Sequence, residues 1–194
     1  MRSILKTTLG KIATLRFGPY MKGSSNGDAK YLLASHFDKQ YQLTKFELSF
    51  VNLNEKQRRN LLEPNDVILA GKGARIFAWA YDEKIGPAIT SSLFYVIKSD
   101  REQIRGEYLA CYLNSTLIQQ KLKAIAGGFK IPSIPKKELI KIPIVIPSID
   151  AQMKFVEMAR LLDKDVSLAE DLLKEKSNQR HSVINGMIAK MTSE

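Results

Sequence analysis

Cysteine occurs once in this sequence, at Cys111, and histidine only twice, at His36 and His181. One thiol excludes a disulfide framework and any four-ligand thiolate site, and it fits a reducing compartment. The two histidines lie far apart with no Cys or carboxylate at ligand spacing, so each reads as a polar surface or loop residue. Cys111 falls in an apolar helical pattern, where a buried inert thiol is expected rather than a nucleophile. Long apolar runs are also missing: Val67-Ile68-Leu69-Ala70 and Ile144-Val145-Ile146 are far below the roughly 18 residues of a membrane helix. The opening Met1-Arg2-Ser3-Ile4-Leu5-Lys6 has no apolar core of signal-peptide length behind it. A soluble cytoplasmic protein is expected.

Catalytic motifs fail on required residues. Gly71-Lys72-Gly73 lacks the earlier glycine and the following Ser or Thr of a phosphate-binding P-loop. No G-x-G-x-x-G turn opens a helix, and Gly18-Pro19-Tyr20 lacks the Asn or Asp and the second proline of an amino-methyltransferase motif. A metal-dependent nuclease could pair Asp66 with Lys72, but the position two before that lysine is Ala70, so the second carboxylate is missing. Neither a catalytic group, a metal nor a cofactor is expected.

What is present is basic charge. Across 194 residues, 30 Lys and Arg face 20 Asp and Glu, a net +10. Residues 1 to 150 hold 23 of the basic and 13 of the acidic side chains, and the remainder is neutral. The whole excess therefore sits on the first part, which points to a polyanionic partner there and a different task for the tail. With 44% hydrophobic residues the chain can bury a core, and its length suits one domain plus an appendage.

Proline is absent after Pro147, and in that stretch glycine occurs only at Gly186. Asp150 offers an N-cap, and the pattern from there predicts one long helix, or two with a break near Ser177-Asn178. Apolar Ala159, Leu162, Val166, Ala169 and Leu173, then Val183 and Met187 past Lys176 and Arg180, recur at spacings of a coiled-coil seam. Packing of that stripe on the chain's own domain is the alternative. Helix length favours the seam, because at about 1.5 Å per residue it would outrun a domain of this size.

The first 150 residues read as mixed α and β. Lys45 to Val51 and Val67 to Ala70 look like strands, with Gly71-Lys72-Gly73 as a hairpin loop. Arg75 to Tyr81 and Ala88 to Ile97 are β-branched and aromatic. Glu107 to Ile125 has helical spacing and stops at Gly127-Gly128, and Ile142 to Pro147 suits an edge strand because its prolines cannot donate to a ladder.

Basic residues meet aromatics and glycines in three places. Arg16 to Gly27 carries Arg16, Tyr20, Lys22 and Asn26, polar groups suited to phosphates and base edges. Lys72 and Arg75 flank Phe77 and Trp79, and Gly127-Gly128-Phe129-Lys130 allows close backbone approach. Each alone reads better as a solvated face over a buried aromatic row. Together, in a part that carries all the net charge, they point to DNA. Arg16, Tyr20, Lys22, Asn26 and Lys72 are the expected contacts, with Arg75 and Lys130 as further backbone contacts.

The order of segments resembles the specificity subunit of type I restriction-modification systems, or one half of it. The resemblance rests on Leu9-Gly10-Lys11-Ile12 with Gly18, and on Leu62-Glu63-Pro64-Asn65-Asp66-Val67-Ile68-Leu69-Ala70-Gly71-Lys72-Gly73. It continues through Tyr108 to Ser115, Gly127-Gly128, Ile134-Pro135-Lys136-Lys137-Glu138-Leu139, and Ile142 to Pro147 leading through Gln152 into the helix. Asn65 stands where the family usually has Gly, and Ser148 and Ala151 replace its second proline and the Glu before Gln152.

The resemblance implies an α/β target recognition domain, residues 1–149, followed by a spacer and dimerisation helix, residues 150–194. Family members usually carry two such units in tandem, with the helices paired antiparallel as a ruler and as the docking surface for methyltransferase subunits. A self-pairing half subunit would restore that arrangement by two-fold symmetry, read a split palindromic site in double-stranded DNA, and supply specificity to methyltransferase and restriction subunits without catalysis of its own. Leu162, Val166, Ala169 and Leu173 would form the seam. The competing expectations are a module of a fused methyltransferase or restriction enzyme, and a coiled-coil interaction protein with incidental basicity.

Overall fold

The computed structural model describes residues 5–44, 49–127 and 132–192. Strand β1 (Leu5–Thr8) runs through a single turn, α1 (Leu9–Ile12), into β2 (Ala13–Phe17). Gly10 makes this turn possible: its N–H donates to Ile140 O at 2.9 Å, and a Cβ there would lie 2.8 Å from the Ile140 Cβ. After a long connection come β3 (Ala29–Leu32), β4 (Ser49–Val51) and the one-turn α2 (Glu55–Arg58). Asn54 and Gln57 close α2 as a reciprocal capping box, each side chain accepting from the other's backbone N–H at 2.9 Å.

The central part is β5 (Val67–Ala70), β6 (Ala78–Ala80), β7 (Ala88–Thr90) and β8 (Phe94–Ser99). Helices α3 (Gly106–Asn114), α4 (Thr116–Ala126) and α5 (Lys136–Leu139) follow, then β9 (Pro143–Ile146) and α6 (Ile149–Met191). Among the described residues the strands form an antiparallel sheet in the order β2-β8-β5-β6, a three-stranded sheet β4-β3-β7 with β3 and β7 parallel, and a pair β1-β9. The expected mixed α and β architecture is present.

Every residue of β5 is buried, which is why Val67-Ile68-Leu69-Ala70 reads as an unbroken apolar run. Val67 and Leu69, with Tyr95 and Ile97 of β8, face a core shared with Leu109, Leu113, Ile118 and Leu122 of α3 and α4. Ile68 and Ala70, with Phe94 and Val96, face a second core built on Leu32, Phe37 and Phe77. Period-two alternation thus feeds two cores from one sheet. Truncating Ile97 or Leu69 to Ala should cost about 2 to 5 kcal/mol.

Three local expectations change. The single helix expected from Glu107 to Ile125 is two, because Ser115 is extended at ψ 145° and Asn114 is drawn to the sheet edge. There the Asn114 amide donates to Ala78 O and accepts from Ala78 N–H, both at 2.8 Å, standing in for a missing strand partner. The helix N-cap is Ser148 rather than Asp150: the Ala151 N–H donates to Ser148 Oγ at 3.4 Å and α6 begins at Ile149. Of the two readings of the tail, the single helix is the one found: it runs uninterrupted for 43 residues, with no break at Ser177-Asn178. His36 is buried rather than surface-exposed, within a short 3-10 turn whose Leu33 N–H donates to His36 Nδ1 at 3.3 Å.

Cys111 on α3 is half-buried. Residues 45–48, which cover most of the strand expected at Lys45, lie outside the described residues, while Ser49–Val51 is a strand.

The chain divides into two compact units, Met1–Val156 and Glu157–Glu194. In the first, Gln152 is fully buried: its Oε1 accepts from the Arg105 N–H at 2.8 Å and its amide donates to Gln103 O and Pro147 O. In the second, the described residues form helix throughout but for a turn at its end, and the large apolar side chains Leu161, Leu162, Val166, Leu168, Leu172 and Leu173 are exposed. Among the described residues no helix is long and apolar enough to cross a membrane.

Candidate nucleic-acid interface

Strand pairing brings segments far apart in sequence to one end of the four-stranded sheet. Phe17, the last residue of β2, pairs with Tyr95 of β8, and the next N–H, of Gly18, donates to Phe94 O at 3.1 Å. Only glycine fits at position 18, because a Cβ would lie 2.3 Å from Thr90 O and 2.4 Å from Ser91 O. At the end of β5, Gly71 N–H donates to Leu93 O at 3.0 Å and Gly71 O accepts from Ile134 N–H at 2.8 Å. Gly73, at φ +106°, donates to Pro132 O at 3.0 Å. Residues 17–18, 71–73, 91–94 and 132–134 therefore meet at one place although they span most of the chain, with Phe17 and Leu93 exposed and Gly71, Ser91, Phe94 and Ile134 buried.

Lys72, half-buried, belongs to this cluster. Its Nζ is 4.5 Å from the centroid of the Phe17 ring, and among the described residues it has no ion pair. Phe17 and Leu93 are each 40% exposed. The connection after Gly18 then folds along β3 and β4: the Tyr31 hydroxyl donates to Pro19 O at 3.2 Å and accepts from Met21 N–H at 3.1 Å. Ser24 and Phe50 exchange backbone hydrogen bonds at 2.8 and 2.9 Å, and Asp28 accepts from the Leu53 N–H at 3.0 Å. With its backbone tied down in this way, the loop presents Tyr20, 87% exposed, together with Lys22 and Asn26. Asp28 also pairs with Arg58 at 3.6 Å, which places the basic turn Lys56 to Arg59 beside this loop; the sequence reading passed over it. Its signal was three cations in four residues.

The two arginines expected at DNA both donate within the domain. Arg16 donates to Asn60 Oδ1, Asn60 O and Leu61 O at 3.1 to 3.4 Å, and burial lowers its pKa against the opposing pull of Asp66 and Glu63. Arg75 donates to Asp38 O, Ala34 O and Phe37 O at 2.8, 2.5 and 2.7 Å, and its guanidinium lies 5.3 Å from the Phe77 centroid. Both act as braces, Arg75 holding the segment that caps the aromatic core. Lys130 lies outside the described residues.

The Pro64-Asn65-Asp66 turn precedes β5. Asn65 adopts φ +77°, a left-handed conformation that glycine takes freely and Asn tolerates best among other residues. Its amide nitrogen reaches Ser99 O, Ser99 Oγ and Ile104 O at 3.2 to 3.3 Å. Asp66 is buried and accepts from the Glu63 N–H at 2.9 Å; burial raises its pKa, opposed by that bond and by Lys98 and Arg16. It is a turn-former, and among the described residues no three His, Cys, Asp or Glu side chains gather as metal ligands would.

The family model for the type I restriction modification DNA specificity domain matches residues 6–178. The chain belongs to this family. The specificity domain also shares its fold with solved structures. These include the type I restriction-modification S subunit from M. genitalium, at 14% identity and TM-score 0.58 over 84% of this chain, and the HsdS subunit from Thermoanaerobacter tengcongensis, at 14% and 0.58 over 86%. A third, from work on complex assembly and conformational transition of the type I R-M system, matches at 13% identity and TM-score 0.64 over 91%. The chain spans 39 to 42% of the length of those three. No curated protein matches it. Asn65 keeps the left-handed turn that a glycine would take freely and adds side-chain hydrogen bonds.

On α6 the residues Leu162, Val166, Ala169 and Leu173 follow one another at spacings of four, three and four. A second stripe, Leu161, Leu168 and Leu172, lies roughly a third of a turn away and is also exposed. A heptad template admits a single seam, so in the sequence this stripe shows only as Leu repeating at spacings of seven and four.

Proposed function

We propose that the chain is a non-catalytic DNA-reading unit of a type I restriction-modification system, acting in the cytoplasm. Residues 1–149 contact double-stranded DNA, and residues 150–194 serve as spacer and dimerisation helix. Two copies pair antiparallel through Leu162, Val166, Ala169 and Leu173, read the halves of a split palindromic site, and dock methyltransferase and restriction subunits. The observation that carries the reading is the end of the β2-β8-β5-β6 sheet, where Lys72, without an ion pair among the described residues, stands over Phe17, the residue from which the connection carrying exposed Tyr20, Lys22 and Asn26 departs. The net +10 on the first 150 residues supplies long-range attraction. Two separate apolar stripes on α6 suit a helix that contacts a second copy on one side and a methyltransferase subunit on the other.

Selection of bound duplexes from a random pool, with and without a methyltransferase subunit, tests this. A two-fold symmetric, interrupted consensus is the expected result, and an asymmetric or absent consensus overturns it. If about five phosphates are neutralised, the logarithm of the binding constant should fall with log salt at a slope near roughly −4.5. A flat salt response by the intact dimer contradicts the proposal.

A further inference from the structure

Phe17 ends β2 at 40% exposure, yet its ring has two partners. Behind it lies the ring of Tyr95, 4.1 Å between centroids and tilted by 31°. Tyr95 is itself buried, and its hydroxyl donates to Ile134 O at 2.7 Å, so the stack has a fixed base. Over the ring stands the Lys72 ammonium, 4.5 Å from the centroid. Lys72 comes from a loop whose backbone is pinned by Gly71 to Leu93 and Ile134 and by Gly73 to Pro132. Gly71 admits no side chain, because a Cβ would fall 2.6 Å from the Tyr95 ring.

We propose that Phe17 is a positioning residue for Lys72, holding its ammonium over the ring so that it meets a phosphate of the DNA backbone already placed. This rests on the DNA-reading function proposed above. A lysine stem is flexible and loses rotamer freedom on binding. A carboxylate partner would hold the ammonium but neutralise it, and the phosphate would have to displace that partner. An aromatic face attracts the cation through its quadrupole and leaves the charge intact. With Tyr95 and Lys72 both against its ring, Phe17 contributes through Lys72.

The experiment is duplex binding by the full chain to a random-sequence DNA pool over stepped salt, with Lys72→Ala, Phe17→Leu, Phe17→Trp and the Phe17→Leu, Lys72→Ala pair. Lys72→Ala should weaken binding and reduce the salt slope by about 0.9, one phosphate's share. Phe17→Leu should weaken it about two- to fivefold, the size of an exposed cation–π contact, without changing the slope. Phe17→Trp should restore it, and the pair should bind no worse than Lys72→Ala alone. If the two single losses add, or if Phe17→Leu binds as the wild type does, Phe17 does not act through Lys72 and the inference falls while the DNA reading stands. If Lys72→Ala changes neither affinity nor slope, the inference falls as well. If the wild type shows no salt-dependent binding, the DNA reading itself falls. Thermal unfolding of each variant checks that the fold is retained.

Discussion

Asn65 Oδ1 accepts the backbone N–H of Gly106 at 2.7 Å, across 41 residues of chain, and a Cβ on Gly106 would lie 2.7 Å from the Asn65 carbonyl oxygen. One side chain thus joins the turn entering β5, the end of β8 and the first residue of α3. The left-handed φ of Asn65 aims its amide into that junction.

Replacing Asn65 by Ala should cost about 2 to 4 kcal/mol, combining left-handed strain with the loss of a buried acceptor for the Gly106 N–H. Asn65→Gly keeps the backbone and should cost less. Chemical denaturation measures both, and equal losses would show that the hydrogen bonds rather than the φ dominate.

Arg75 spends its donors on three backbone carbonyls. Arg75→Ala should therefore lower stability by about 1 to 3 kcal/mol, and Lys should not rescue it, since an ammonium cannot reproduce the planar fork. Any loss of DNA affinity should vanish once the folded fraction is taken into account. A fully stable variant with weakened binding would return Arg75 to the interface.

Burial lowers the pKa of His36 below its ordinary 6.5, and its Nδ1 is an acceptor in the fold. The unfolded chain therefore binds this proton at a higher pH than the folded one. Stability should fall as pH drops below 6.5 through the folded pKa, and it should be insensitive to this group above 6.5. Urea unfolding over that window, compared with His36→Gln, isolates the contribution; a variant with the same pH slope would assign it elsewhere.

Under the proposed pairing of α6, replacing both Leu162 and Val166 by Asp puts unpaired charge in the seam and should cost several kcal/mol of dimer stability. Lys176 and Arg180 of one helix would face acidic residues such as Asp163, Asp165, Glu170 or Asp171 of the other. Light scattering should show the mass halved in the double variant. An unchanged mass, with unchanged split-site binding, would dismiss the seam.

Tyr20, Lys22 and Asn26 stand on a loop whose backbone is tied to β3 and β4. Substitutions there should shift which sequence is selected, at about 1 to 3 kcal/mol for each lost base contact. Selection repeated on Tyr20→Ala and Asn26→Ala checks this; an identical consensus at identical affinity would remove the loop from base reading.

Several features were legible in the sequence by itself, because they depend on composition and on spacing within one turn or one strand. The basic first part, the neutral helical tail, the buried strand Val67 to Ala70, the absence of P-loop and methyltransferase motifs, and the order of family segments all belong here. Local spacing could not say that Asn114 would leave its helix to pair with Ala78, nor that His36 would be buried under the Leu33 turn. Nor could it say that Arg16 and Arg75 would donate to backbone carbonyls, or that the segments of Phe17, Lys72, Leu93 and Ile134 would meet at one end of the sheet. Those outcomes depend on which strands pair and in what register. Strand pairing joins residues 17, 71, 94 and 134 through long-range hydrogen bonds and packing, while a pattern of polar and apolar residues records only which face of each strand is turned to a core.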